Sequence, residues 1–395
     1  MQGPKRPLAV VAGGELNGLG VVRSLARERV PTLVLDTDAS RPTMRTRFAR
    51  KREVAGLSGR TLIGELVRLR GELDHDPVLF LTQEASVAAV SDAYAEIAAV
   101  FRISMPPSPT MRMLMDKTLF QVQAEALGFA VPRSIELQAG DDGGALDGMR
   151  YPCILKPATK NLAYTKHFPK AHRLADPGMA RLLWRELGAA IGQAIVQEWI
   201  EGEDSDVYFC LQYRANSGDI TSFTGRKTCQ WPPLVGGTAT CMPAREAEPE
   251  LTDTTNRFFG AVGFFGLGSM EYKRDRRDGR FYMVEPTVGR TDYQEEIATL
   301  NGVNIPYAAY LGEQGLRALS HVHAAVPTAW RDPYGHHNAI RAGADDALGA
   351  IAPEMKVADA YFRVLDPGPH LAARLEPLGK RLRALTKQGA APQSA

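Results

Sequence analysis

The chain opens with a short apolar run, "LAVVAGG" (8–14), that breaks at two glycines. It continues with helical spacing through "ELNGLGVVRSLARERV" (15–30) and turns apolar again in "PTLVLDTD" (31–38). Short apolar runs bounded by turn residues predict strands, so this segment reads as a βαβ unit. "DPVLFLTQE" (76–84) adds a strand, followed by a helix over 86–100, and the small parallel sheet so built ends near Pro106 and Pro107. "MRMLMDKTLFQVQAEALGFAVP" (111–132) has the period of one amphipathic helix, stopped by Gly128 with Pro132 beyond it. From 150 to 290 strand patterning dominates, in "YPCILKPA", "AIVQEWIEG", "DVYFCLQYRA", "DITSFTGRK", "GSMEYKRD" and "FYMVE". Beyond 306 helical spacing returns, and the chain ends in a polar tail expected to fray. No internal repeat is visible.

Composition narrows the class. At 395 residues the chain exceeds one ordinary core, and 44% apolar with 23% charged residues is the balance of a soluble globular protein. Lys+Arg 47 against Asp+Glu 45 gives a net charge of +2, which excludes a general polyanion binder, so no nucleic-acid partner is expected. Basic clusters at 41–52 and 160–173 read as solvated faces. Four cysteines (Cys153, Cys210, Cys229, Cys241) lack CxxC spacing and are too sparse for a disulfide framework. With no signal-peptide pattern and no run long enough for a membrane span, a cytoplasmic protein with reduced thiols is expected.

Two stretches carry candidate chemistry. "AGGELNGLG" (12–20) followed by Asp36 imitates a dinucleotide-binding turn, but Gly14, Gly18 and Gly20 have the wrong spacing, and a plain glycine turn explains them better. The second is a hairpin. "GSMEYKR" and "FYMVE" flank the turn-forming "DRRDG", and an odd number of residues separates Glu271 from Glu285. An odd-membered loop, or a compensating bulge, would set the two carboxylates face to face; an even one would pair Glu285 with Tyr272. Facing acids repel unless a cation lies between them, and Mg²⁺ accepts one or two carboxylates while keeping positions for water and phosphate. Lys156 ends the buried-looking strand "PCILKPA", Lys117 opens a helix, and an acidic connection follows "VQEWI". Lysines at strand ends with two metal carboxylates describe a triphosphate site.

In that order the helix lysine, "LKP", "VQEWIEGED", "MEYKRD" and "VEPTVGR" resemble the ATP-grasp superfamily over about residues 105–310. "TGRKTCQWPPLVGGTAT" and "EPTVGRTDYQ" look most like carboxylate–amine ligases of the D-aspartate ligase type. The resemblance implies an α/β fold with an N-terminal Rossmann-like pre-ATP-grasp domain (1–107), a lid subdomain (108–195), a C-terminal ATP-grasp subdomain (196–310) and a helical extension (311–395). It implies ATP and Mg²⁺ as cofactors, with small-molecule carboxylate and amine substrates; the oligomeric state is open, a homodimer included. Lys117 and Lys156 would contact ATP phosphates. Gln197, Glu198, Trp199 and Ile200 would form the adenine hinge, Trp199 helping to wall the pocket. Glu203 or Asp204 would hold the ribose. Lys227, with Arg226 beside it, would reach the γ-phosphate; Glu271 and Glu285 would hold Mg²⁺; Arg290 would neutralise the substrate carboxylate or the acyl phosphate. Two departures stand out: Thr287 replaces the usual asparagine of Glu-x-Asn, and the stretch 158–176 offers lysines and histidines where a glycine-rich phosphate loop is common. A phosphotransferase and a nucleotide-binding regulatory protein of the same fold are the alternatives. The histidines of "HVH" (321–323) and "HH" (336–337) lack partners at ligand spacing.

Overall fold

A computed structural model of the protein describes residues 6–157, 171–317, 321–344, 351 and 354–375. The opening βαβ pattern becomes a parallel sheet of β1 (Ala9–Ala12), β2 (Thr32–Asp36), β3 (Arg50–Glu53) and β4 (Val78–Leu81), in the order β3-β2-β1-β4. The basic run at 41–52 thus ends in a strand. Its charged residues sit at the sheet edge, where they discourage pairing with another chain. The glycine turn after β1 is filled from within. The Gly14 amide donates to Asp36 Oδ2 at 2.6 Å, and a Cβ on Gly18 would meet Gly13 O at 2.2 Å. The acid that a dinucleotide site would reserve for a ribose is buried and caps the turn.

Two helices expected as continuous are broken. The 86–100 segment divides into Glu84–Asp92 and Tyr94–Ala98, and the 111–132 segment into Ser108–Met115 and Lys117–Ala126. The second break has a clear cause. Asp116 takes an extended backbone, and its carboxylate accepts the amides of Thr118 and Leu119, which starts a new helix at Lys117.

The stretch expected as a lid holds an antiparallel sheet of β5 (Ser134–Gln138), β6 (Cys153–Pro157), β7 (His172–Leu174) and β8 (Gln193–Glu198), ordered β5-β8-β6-β7. Helix Pro177–Ile191 covers one face, and Leu155, Leu174, Trp184 and Val196 give the lid its own core. The boundary drawn between 195 and 196 falls inside β8.

The central sheet contains β9 (Val207–Arg214), β10 (Ile220–Trp231), β11 (Gly237–Pro243), β12 (Gly266–Arg274), β13 (Phe281–Val288), β14 (Thr328–Arg331) and β15 (Lys356–Asp359). Their order is β13-β12-β9-β10-β11-β14-β15. The region after 306, expected to be helical, therefore contributes two strands to this sheet, with helices Ile305–Gly312 and Pro333–Arg341 around them. Tyr208, Cys210, Met270 and Tyr272 face one way and pack against Phe258 and Phe259; Phe209, Leu211 and Phe223 face the other and meet Leu19, Val22 and Trp330. Both cores run on into the N-terminal sheet.

Candidate active site

The hairpin of β12 and β13 sets Glu271 directly opposite Glu285. Its connection, residues 275–280 between Arg274 and its partner Phe281, is even-membered. The odd separation is absorbed by a bulge: Glu271 faces Glu285 while Tyr272 faces Met283, leaving Val284 extra. Ser269 and Thr287, also paired, lie two residues along on the same face.

Each acid already has a cation. Lys117 Nζ lies 2.5 Å from Glu285 Oε2, and Lys227 Nζ lies 2.7 Å from Glu271 Oε2. The repulsion expected between the carboxylates is thus answered within the chain. Burial drives the Glu271 carboxyl up despite Lys227; at Glu285 burial pushes the same way, but Lys117 outweighs it and holds the group below its usual range. Lys156, on the lid, is pushed down to about 8 by burial and by Lys117, against the pull of Glu285. Three lysines and two carboxylates from five separate elements converge here.

Between the lid and the hairpin lies a cleft of about 170 Å³. Lys117, Gln121 and Val122 of the helix Lys117–Ala126 form one wall, Lys156, Ile195 and Gln197 of the lid another, and Val284 and Glu285 the floor. Strand alternation places Lys156, Ile195 and Gln197 on one face of the lid sheet. Lys156 Nζ donates to Gln197 Oε1 at 3.1 Å, and Gln197 Nε2 donates to Gln121 Oε1 at 2.8 Å. Gln121, one helical turn beyond Lys117, was missed in the sequence, although that spacing puts both on one helix face.

The other expected residues divide. Glu198 points away from the cleft, paired with Arg277 at 3.1 Å and Arg150 at 3.3 Å, and so ties the lid to the hairpin loop. The amides of Glu198 and Trp199 are taken by the carbonyls of Arg133 and Pro152, whereas that of Ile200 has no partner among the described residues. Trp199 does not line this cleft; the Arg173 guanidinium lies 5.4 Å from its ring centroid. Glu203 is exposed and held by both terminal nitrogens of Arg276, at 2.9 and 3.0 Å. Asp204 accepts the amides of Gln230 at 2.7 Å and Leu234 at 2.8 Å, which pins the loop between β10 and β11. Arg226 is a correction. As the neighbour of Lys227 on β10 it faces the opposite side, aligned with Tyr208 and Met242, so it does not stand beside Lys227. Arg290 follows Gly289, whose φ of +69° turns the chain after β13, and it makes no ion pair among the described residues. The basic stretch 158–170 lies outside the described residues.

All four cysteines are free and buried. Among the described residues no group of three His, Cys, Asp or Glu could hold a metal ion, and none of the helices is long and apolar enough to cross a membrane. His336 Nδ1 lies 3.0 Å from Thr240 Oγ1, and His323 lies 3.5 Å from Glu248, both away from the cleft.

No family model matches the chain, and no curated relative does. Solved structures do. N5-carboxyaminoimidazole synthetase from Staphylococcus aureus superposes with a TM-score of 0.62 at 15% identity, covering 83% of each chain. The biotin carboxylase domain of the Hydrogenobacter thermophilus 2-oxoglutarate carboxylase, a dimer in complex with MgADP, ADP and bicarbonate, gives 0.61 at 12% identity, covering 80% of this chain and 72% of the other. Biotin carboxylase from Campylobacter jejuni, in complex with a β-γ-ATP ligand, gives 0.60 at 14% identity, covering 79% and 72%. At these identities the likeness is one of fold, and it agrees with the motif order and the three sheets: the chain has the ATP-grasp fold, with an N-terminal Rossmann-like sheet.

Proposed function

We propose that the protein is an ATP- and Mg²⁺-dependent carboxylate–amine ligase. It joins a small carboxylate to an amine through an acyl phosphate and releases ADP and phosphate. The observation that carries this reading is the opposed pair Glu271 and Glu285, each on its own lysine, at the end of a cleft bounded by Lys156 and Gln197. A phosphorylated substrate brings its own negative charge. Lys117, Lys156 and Lys227 then have phosphate oxygens to bind, and the two carboxylates are released to bind a cation. Two carboxylates suit Mg²⁺, and the Thr287 hydroxyl on the same face would stand beside them.

Glu271 and Glu285 would hold Mg²⁺, which would supply the positive charge that phosphoryl transfer requires. The chain's own residues do the rest. Lys156 and Lys117 position the phosphates, Lys227 holds the outermost one, the Ile200 amide meets the adenine edge, and Arg290 compensates the activated carboxylate. Lid and hairpin, tied through Glu198 and Arg277, exclude water while the acyl phosphate exists. Among the neighbours one is crystallised with MgADP and bicarbonate, so bicarbonate joins amino acids and short peptides as a carboxylate to test. The test is incubation with ATP and Mg²⁺ against a panel of acids and amines. A ligase forms ADP and a condensed product only when both partners are present. Equal ADP formation with either alone removes the reading.

A further inference from the structure

The turn after β13 carries two charges of opposite sign that the fold leaves unanswered. Arg290 and Asp292 stand two residues apart, both half-buried, yet neither forms an ion pair among the described residues. Among the described residues Asp292 Oδ2 accepts from neutral donors only, the Ser269 hydroxyl at 2.7 Å and the Gln294 amide at 3.4 Å. Ser269 lies two residues before Glu271 on the same face of β12, so Asp292 hangs over the strand that carries one of the opposed carboxylates. Beside it Glu295 is 2% exposed, and its Oε1 has no hydrogen-bond partner among the described residues. The neighbouring Thr291 hydroxyl is equally buried and has no partner among the described residues. A buried carboxyl oxygen without a donor is costly, and a second acid beside it adds to the cost. The Glu295 carboxyl accepts from the Asp292 backbone and is pushed up to about 8 by burial and by Asp292, which leaves acceptor capacity to spare in the cluster. The cluster sits where the central sheet meets the glycine turn: Asn17 Nδ2 lies 3.4 Å from Thr291 O.

We propose that Asp292, backed by Glu295, is the subsite that receives the amine substrate as an ammonium ion, while Arg290 takes the carboxylate-derived charge. This rests on the ligase reading. An ammonium supplies three donors to a site with spare acceptors and, among the described residues, no cation paired to Asp292, which selects aliphatic amines over neutral nucleophiles. In the reaction Asp292 accepts one ammonium proton and gives the free amine. The nitrogen lone pair forms the C–N bond, the carbonyl carbon–oxygen bond to phosphate breaks with its electron pair, and the remaining surplus N–H proton leaves with the phosphate.

The test uses the full chain with ATP, Mg²⁺ and the common amino acids as acids and amines. Hydroxylamine, mostly uncharged at neutral pH, serves as a second nucleophile that traps acyl phosphates as hydroxamates. For Asp292→Asn the ratio of amine-dependent to hydroxylamine-dependent product should fall on the order of tenfold or more through a raised KM for the amine, as loss of a charge-assisted hydrogen bond requires. Asp292→Ser gives the same readout where the Asn variant fails to fold. A folded variant with the wild-type ratio overturns the subsite and leaves the ligase reading standing. A wild type that yields neither amide nor hydroxamate with any acid overturns the ligase reading, and the subsite with it.

Discussion

Lys156 shows how one side chain can link burial to ligand binding. Its folded value of about 8 lies below the ordinary 10.5, so between those limits the unfolded chain binds more protons than the folded one. The destabilisation from burying this charge is present in full below about pH 8 and fades as the pH rises toward 10.5. Phosphate favours the charged form. Nucleotide binding above about pH 8 should therefore take up a proton, and affinity should fall as the pH climbs. Calorimetric titration of ATP at alkaline pH in two buffers of different ionisation enthalpy measures that uptake. In Lys156→Met the uptake should vanish and binding should weaken by about 1.5–3 kcal/mol, the usual worth of a charge-assisted contact. Proton uptake that persists in a folded Lys156→Met would assign the effect to another group.

The elements show what a sequence can and cannot reveal. The strand–turn–helix opening, the strand lysine at 156 and the facing glutamates were legible because each depends on local spacing. The Val284 bulge was not: parity allowed either an odd loop or a bulge, and only the pairing of Tyr272 with Met283 decides between them. Arg226 misled because two adjacent basic residues look like one patch, whereas a strand sends them to opposite faces. Strands β14 and β15 were hidden because each is only four residues long and sits among helical spacing. The resemblance gives the ribose to Glu203 or Asp204; the two amide bonds of Asp204 to the β10–β11 loop form only in the folded chain. Removing it should leave the Gln230 and Leu234 amides without acceptors. Asp204→Ala is thus expected to lose about 1–3 kcal/mol in urea unfolding. Comparing ATP with its 2′-deoxy analogue separates the roles: a loop anchor leaves the preference between them as in the wild type, and a ribose ligand does not.

Across the whole molecule, distant segments are tied by buried charge. Asp366, 1% exposed, accepts from Arg23 Nε at 3.3 Å, Thr46 Oγ1 at 2.8 Å and the Arg47 amide at 2.9 Å, while Arg23 also lies 3.7 Å from Glu296. Burial lowers the Arg23 guanidinium, against the pull of Glu296 and Asp366. Losing one partner of such a pair leaves a buried charge, so Asp366→Ala should cost about 3–5 kcal/mol and lower the melting temperature. An unchanged melting temperature would mean that the C-terminal segment contributes little to the fold. The central claim concerns the opposed carboxylates, and Mg²⁺ linkage tests it most directly. Titrating a non-hydrolysable ATP analogue with and without Mg²⁺ into wild type and Glu285→Gln should show Mg²⁺ strengthening binding in the wild type and far less in the variant. Equal strengthening in both, with the variant folded, would contradict the assignment of Glu285 to the metal.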